Sequence, residues 1–444
     1  PSYPRVGADR LMHFYLGPGG SLTGCIRVPG DKSMSHRAIM LGSIAEGRTA
    51  VSGFLEGEDV LATLSAFREM GVRITDPQSG RLTIDGVGLR GLEPPTRVMD
   101  VGNSGTSIRL MAGLLAGQSF DSILTGDESL LRRPMARVIT PLSQMGALIS
   151  SHEGFPPLKI QGCRALRGTH YDMPIASAQV KSSVLLAGLF ADGRTSVTEP
   201  APTRDHTERM LTGFGYTVDR DQGVISLEGG GSMEGTDIDI PADISSAAFF
   251  LVGASIAPGS DLTLEHVGIN PTRDGVITIL RAMGADIEIL NERQIGGEPV
   301  ANLRVRHAPL KGIEIPVEAV PLAIDELPAV LIAAACAEGV TVLRGAEELR
   351  VKESDRIASM AEGLSQLGIE NTVQPDGIEV VGGDLSGGVI TTHQDHRIAM
   401  SFSMAALRAS DRIKVSDCAH VATSFPGFAD LALQTGLRLE VAEE

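Results

Sequence analysis

Leu64-Ser-Ala-Phe-Arg-Glu-Met-Gly71-Val-Arg-Ile is an apolar helical pattern that stops at a glycine and continues as an alternating, strand-like run. The phrase returns at Leu142-Ser-Gln-Met-Gly146-Ala-Leu-Ile, Met210-Leu-Thr-Gly-Phe-Gly215-Tyr-Thr-Val and Ile279-Leu-Arg-Ala-Met-Gly284-Ala-Asp-Ile-Glu-Ile. Its last copies are Leu364-Ser-Gln-Leu-Gly368-Ile-Glu and Leu431-Ala-Leu-Gln-Thr-Gly436-Leu-Arg-Leu. Successive glycines lie 75, 69, 69, 84 and 68 residues apart. A glycine after the last helical residue fits a left-handed cap, and alternation beyond it fits a strand.

A second phrase runs half a period out of step: a polar cluster, an Ala/Leu/Gly-rich helix, a small-residue stop and a β-branched strand. It predicts helices over 33–47, 105–117, 181–193, 245–259, 325–339 and 397–409. Helices so poor in charge are buried all round rather than amphipathic. The chain thus reads as six α/β units of roughly 70 residues, each with two helices and three or four strands. An open solenoid, a closed ring and two globular triplets all satisfy six copies. The lack of distinct capping repeats speaks against the solenoid, and two triplets suit ordinary domain sizes, with a boundary near Pro241-Ala-Asp.

Composition narrows the function. The 444 residues, 42 % hydrophobic and 21 % charged, are those of a soluble globular chain. A net charge of −17 disfavours nucleic acid and anionic membrane surfaces as partners, and 4 Tyr, 12 Phe and no Trp leave no stacking platform. Cys25, Cys163, Cys336 and Cys418 form no C-x-x-C pair, so neither a zinc knuckle nor a disulfide framework is expected. Residues 1–20 carry Arg5, Asp9 and Arg10 with no apolar run, so no leader and a cytoplasmic setting are expected. One His393-x-x-His396 pair is too little for a metal site, and no P-loop or dinucleotide fingerprint occurs.

Every buried helix begins at a polar cluster, and several clusters hold cations: Lys32, Arg37, Arg109, Lys181 and Arg397. Capping explains Ser, Asp and Asn there, but cations oppose the positive helix N-terminus. Converging N-termini with basic side chains suit phosphate or carboxylate ligands, so an anion-binding cleft is expected. Leu131-Arg-Arg-Pro-Met135 adds two guanidinium groups beside a turn. The charged run 347–356 reads, taken alone, as a solvated helix face.

In chain order stand Gly30-Asp-Lys-Ser-x-Ser-His-Arg37, Gly-Asn-x-Gly-Thr-x-x-Arg109, Arg133-Pro-Met135 and Ala-Ser-Ala-Gln-Val-Lys-Ser182. Thr-Arg-Asp-His-Thr-Glu208, Arg350-Val-Lys-Glu-Ser-Asp-Arg356 and Asp395-His-Arg-Ile-Ala-Met400 follow. Together the seven motifs resemble the 5-enolpyruvylshikimate-3-phosphate synthases of the shikimate pathway, which leads through chorismate to the aromatic amino acids. Val-Lys-Glu-Ser-Asp-Arg and Ala-Ser-Ala-Gln-Val-Lys-Ser are most similar to the bacterial class II branch.

The resemblance implies two inside-out α/β domains, each of three βαβαββ repeats, with the site in the cleft between them. One domain would span 30–241 and the other 1–29 plus 242–444, the chain crossing twice near Gly30 and Pro241. It implies transfer of the enolpyruvyl group of phosphoenolpyruvate to the 5-hydroxyl of shikimate 3-phosphate. Phosphate leaves by addition and elimination through a tetrahedral intermediate, without metal or organic cofactor, in a monomer. Shikimate 3-phosphate would meet Lys32, Ser33, Arg37, Ser177, Ala178, Gln179, Arg204, Asp325 and Lys352. Phosphoenolpyruvate would meet Lys32, Gly105, Arg133, Gln179, Arg356 and Arg397. Lys32, Asp325 and Glu353 are the implied catalytic groups, Asp325 acting on the hydroxyl and Glu353 on the methylene. Substrate binding would close cleft walls that repel when empty.

Glyphosate would compete at the phosphoenolpyruvate site, with Gly105 as the gate unless it merely serves a positive-φ turn. Members outside class II carry a Lys before the Thr-Phe-Pro stretch, whereas this chain has Ala422-Thr-Ser-Phe-Pro426. Two alternatives stand beside this reading. A UDP-N-acetylglucosamine enolpyruvyl transferase would want Lys-Asn at 32–33 and a Cys within 118–135, and neither is present. A non-enzymatic repeat scaffold would match no catalytic constellation.

Overall fold

A computed structural model describes residues 12–162 and 165–443. Cys163, Arg5, Asp9 and Arg10 lie outside the described residues. The helices are α1 (Lys32–Ile44), α2 (Glu58–Glu69), α3 (Gly105–Ala116), α4 (Ala136–Gln144), α5 (Ala178–Gly188) and α6 (His206–Gly213). They continue as α7 (Ile244–Ile256), α8 (Gly275–Ala282), α9 (Leu327–Ala335), α10 (Arg356–Gln366), α11 (His396–Ala405) and α12 (Phe428–Thr435). The odd-numbered helices are the apolar ones of the second phrase, and α7 is buried at all thirteen positions. The even-numbered ones lie outside them, each followed by the repeat glycine at a φ between +79° and +119°. Only glycine takes that conformation without strain, which is why the residue recurs.

Among the described residues the strands form six small sheets, one per repeat; five are mixed, and the fifth repeat's sheet of Val340–Leu343, Asn371–Gln374 and Gly377–Val381 is antiparallel. In the second repeat Ser122–Thr125 pairs in parallel with Met99–Asp100 and antiparallel with Phe155–Gln161, which pairs antiparallel with Leu148–His152. Three sheets borrow a distant strand. Asp237–Asp239 completes the first sheet beside Glu46–Ser52, and Thr23–Ile26 completes the fourth beside Asp261–Gly268. Met12–Leu16 sits in the sixth between Ile413–Ser416 and Leu439–Glu443. No helix among the described residues is long and apolar enough to cross a membrane.

Two hydrophobic cores result. One gathers buried residues between Met34 and Ile240, the other those from Phe14 to Val28 and from Ala242 onward. Between the cores the chain passes twice, and the two passes hydrogen-bond to each other. The Asp31 amide donates to the Pro241 carbonyl (2.8 Å) and the Asp243 amide to that of Pro29 (2.9 Å). The contact is tight: a Cβ on Gly30 would sit 1.7 Å from the Gly53 carbonyl oxygen.

Inner helices pack through small residues as well. At Gly113 in α3 an added Cβ would lie 2.0 Å from the Ser183 carbonyl oxygen of α5. Gly113→Ala should therefore overpack the first core and destabilise the protein by about 1–3 kcal/mol in a urea titration. Gly213, in α6 with nothing within 4 Å of its added Cβ, is the control. Gly213→Ala should be neutral or stabilising by up to about 1 kcal/mol.

Candidate functional site

The inner helices start at polar caps gathered where the cores meet. Asp31 accepts from the Met34 amide (2.8 Å), Ser104 from Ser107 (3.0 Å), Asp243 from Ser245 (2.8 Å) and Asp395 from Arg397 (2.9 Å). Ser177 caps α5, and Ala178 and Gln179 form its half-buried first turn. Helix α9 begins at Leu327, so Asp325 stands in the turn ahead of it rather than inside the expected helix.

On the wall formed by the first core, Lys32 pairs with the buried carboxylate of Asp59. Burial raises the Asp59 carboxyl above its ordinary range, although Lys32 opposes this. Arg37 lies deeper. Its guanidinium donates only to neutral oxygens, Thr207 Oγ1 at 2.7 Å, Ser182 Oγ at 2.9 Å and the Ser33 carbonyl at 2.9 Å. Burial with no carboxylate bonded to it lowers its pKa to about 10. Arg109 donates to Gln179 Oε1 (2.7 Å), and Gln179 donates to Thr106 Oγ1 (3.0 Å). Burial and the neighbouring Arg133 lower Arg109 to about 10 as well. Arg133 donates to Asn103 Oδ1 and leaves its Nε buried without a partner. Gly105 lies against these cations, its added Cβ 2.7 Å from Arg109 Nη1 and 3.0 Å from Arg133 Nη1.

The opposing wall carries Asp325, Lys352, Glu353, Arg356 and Arg397. Arg356, fully buried, is the hub: Nε donates to Asp395 Oδ2 (2.8 Å), Nη1 to Asp325 Oδ1 (3.2 Å) and Nη2 to Glu353 Oε2 (2.5 Å). Lys352 Nζ lies 3.6 Å from Asp325 Oδ1, and Arg397 donates to the Asp325 carbonyl at 3.1 Å. Burial alone would raise both catalytic candidates. The Lys352, Arg204, Arg397 and Arg356 cations overcome it at Asp325, and Arg356, Arg133 and Lys32 at Glu353. Both carboxyls are held well below their usual range, so both are ionised and can accept protons.

The walls meet through opposite charges. Arg133 lies 3.4 Å from Glu353, Arg137 2.5 Å from Glu348, and Arg204 pairs with Asp325. This corrects the expectation of mutually repelling walls, because the cations of one wall face carboxylates of the other. A cavity of about 260 Å³ opens between Ser129, Arg133 and Pro134 on one side and Lys352, Glu353 and Ser354 on the other.

The site thus brings together Lys32, Gly105, Arg133, Gln179, Arg204, Asp325, Lys352, Glu353, Arg356 and Arg397. Lys181 does not join them. It sits a full turn inside α5, where Glu208 (2.8 Å) and Glu199 (3.1 Å) neutralise it. Of the paired arginines, Arg132 points outward to Glu128 while Arg133 points in. The charged run 347–356 is a half-buried 3₁₀ helix (Glu347–Val351) and bend rather than a solvated helix face, and its Arg356 begins α10 buried. Sequence reasoning missed Asp59 and Asn103, since an acid in a helix's first turn and an Asn before a cap are ordinary features. His396 is buried 3.5 Å from Thr423, and burial beside Lys32 keeps it well below its ordinary pKa and neutral. His393 instead faces Glu362, so the two do not form a metal pair. The turn Ala419–Thr423 carries no Lys, and the Thr423 hydroxyl meets His396 there.

What remains is a cleft with cations on both walls and two ionised carboxylates among them, suited to phosphorylated carboxylic acids. Comparison with known proteins gives the same answer. Residues 16–431 match the family described as EPSP synthase (3-phosphoshikimate 1-carboxyvinyltransferase). The 3-phosphoshikimate 1-carboxyvinyltransferase of Alkalilimnicola ehrlichii is 65 % identical over 430 residues, 96 % of each chain. That of Methylococcus capsulatus is 63 % identical over 98 % of this chain and 100 % of its own. A solved EPSP synthase from Acinetobacter baumannii superposes with a TM-score of 0.87 at 57 % identity, covering 97 % of this chain and 100 % of its own. Sequence and fold agree with these relatives along nearly the whole length, and the chain belongs to the EPSP synthase family.

Proposed function

We propose that the interdomain cleft transfers the enolpyruvyl group of phosphoenolpyruvate to the 5-hydroxyl of shikimate 3-phosphate with release of phosphate. One observation carries this reading. Asp325 and Glu353, both ionised, stand within a ring of Lys32, Arg133, Arg204, Lys352, Arg356 and Arg397. The domains divide at 30–241 and 1–29 plus 242–444, in keeping with two cores and a paired crossing at Gly30 and Ala242. The protein is a cytoplasmic monomer of the class II branch.

Arg133, Arg356 and Arg397 hold the phosphate and carboxylate of phosphoenolpyruvate, as planar forked donors suit. Lys32, Ser33, Arg37, Ser177, Ala178, Gln179, Arg204 and Lys352 hold shikimate 3-phosphate. Asp325 takes the proton of the attacking hydroxyl. Glu353 must first give a proton to the methylene carbon and later recover one from the methyl group. In the unliganded site the Arg356 and Arg133 guanidinium groups hold it ionised. Phosphoenolpyruvate draws on those same groups, which weakens their hold, so the Glu353 pKa rises as substrate binds and the residue can carry the proton. Lys32, held by Asp59, stabilises charge developing in the tetrahedral intermediate.

Phosphate release should require both substrates, and omission of either should abolish it. Release from phosphoenolpyruvate alone would overturn the reading. Lys32→Met should lower kcat by roughly 10²–10⁴-fold with little change in melting temperature, since Asp59 can become neutral once its partner is gone. A turnover near that of wild type would remove Lys32 from the chemistry.

Gly105 has no positive φ, so its smallness serves space rather than backbone conformation. Gly105→Ala would press a methyl against Arg109 and Arg133, intruding on an inhibitor longer than the substrate more than on the substrate itself. Wild type should be inhibited by glyphosate competitively with phosphoenolpyruvate. Gly105→Ala should raise the inhibition constant about 10–200-fold, one methyl's worth of discrimination in a close pocket. Coincident inhibition curves would mean that Gly105 is not the gate.

A further inference from the structure

We propose that Arg273 is a positioning residue, a single buried guanidinium that fixes Lys32 and Asp325 relative to each other where the two cores join. The inference rests on the reading of the cleft given above. Arg273 touches neither residue. It touches their sequence neighbours. Its Nη1 donates to Asp31, the residue before Lys32, and its Nη2 lies 3.6 Å from Glu326, the residue after Asp325. Nη2 also donates to Asp243 Oδ1 at 3.0 Å and to Ser245 Oγ at 2.6 Å, and that Ser hydroxyl donates to Glu326. The second oxygen of Asp243 accepts the backbone amide of Lys32 itself at 3.0 Å.

Side chains therefore alternate at both sites. Lys32 and Asp325 point into the cleft, while Asp31 and Glu326 point back onto one cation. The side chains of Arg273, Asp31, Asp243 and Glu326 are 3 %, 6 %, 7 % and 1 % exposed, so water screens little of their interaction. Three carboxylates face one guanidinium. Asp31 and Asp243 also sit on the positive N-termini of α1 and α7, and His206 Nε2 lies 3.9 Å from Asp31. Arg273 itself is held in a turn, its amide donating to the Asn270 carbonyl at 2.8 Å.

Without the guanidinium the carboxylates repel, and the starts of α1 and α9 draw apart. Arg133 has no bond to Arg273, and Arg356 keeps Asp395 and Glu353 as partners when Asp325 shifts, so most of the phosphoenolpyruvate clamp is retained. The signature is a loss in kcat without a matching loss in KM. Misplacement of about 1 Å costs roughly 10²-fold in rate, the loss expected for Arg273→Gln per folded molecule, with KM for phosphoenolpyruvate within about threefold of wild type. Arg273→Lys keeps the charge but not the fork and should recover part of that loss, remaining about tenfold below wild type.

The experiment is steady-state phosphate release by the full chain, with the folded fraction of each variant measured by circular dichroism. Wild-type kcat per folded molecule in both variants overturns the proposal, as does a fall in kcat matched by an equal rise in KM. Should Arg273→Gln not fold, Arg273→Lys decides alone: a lowered kcat at constant KM supports the proposal, and wild-type kcat overturns it. A wild-type protein that releases no phosphate from the two substrates overturns instead the reading on which this proposal rests.

Discussion

Helices such as α7 and α9 have no polar face to give to water, and that constraint shapes everything else. A helix apolar on all sides must be enclosed, and three small sheets around three such helices enclose them in each core. Enclosure leaves only the helix ends exposed. The N-terminal amides of each helix have no partners within it, so the ends must find caps or anions. Because all six inner helices begin where the cores meet, the unsatisfied positive ends of the whole fold collect in one place. A chain with a net charge of −17 acquires its anion site in this way.

The electrostatic character of the cleft follows from how those ends are filled. Each wall combines cations with carboxylates, and the pairs Arg133–Glu353, Arg137–Glu348 and Arg204–Asp325 join one wall to the other. The cations serve two masters: they hold Asp325 and Glu353 ionised, and they are the groups an incoming phosphate would claim. Anion binding at these cations would thereby be coupled to the proton affinity of both carboxylates.

Much of this was legible in the sequence because it is local. The six glycines fell at the helix ends with the positive φ their spacing implied, and the β-branched runs after the inner helices became strands. The motif residues of both walls meet at the junction of the cores. What escaped was non-local or depended on a few degrees of helix rotation. Lys181 belongs to the same polar cluster as Gln179, yet two residues along α5 turn it into the core beside Glu199 and Glu208. Arg132 and Arg133 are adjacent, and only one enters the cleft. Asp59 meets Lys32 from 27 residues away, and no periodicity marks such a pairing. The borrowed strands carry no signal either, because Asp237–Asp239 reads like any short polar stretch until the first sheet supplies its neighbour.

Those borrowed strands bear on how the chain matures on the ribosome. The first core lacks the edge of its first sheet until residues 237–239 have emerged, whereas the strand Met12–Leu16 is made before any of that core. Its partner Ile413–Ser416 follows about 400 residues later, roughly 20–80 s at ordinary rates of synthesis. Through that interval Phe14 and Leu16, both buried in the finished protein, have no sheet to enter. The second core can only close around a segment made before the whole of the first core. It is therefore the late-assembling half, and the one whose apolar strands depend longest on protection against aggregation.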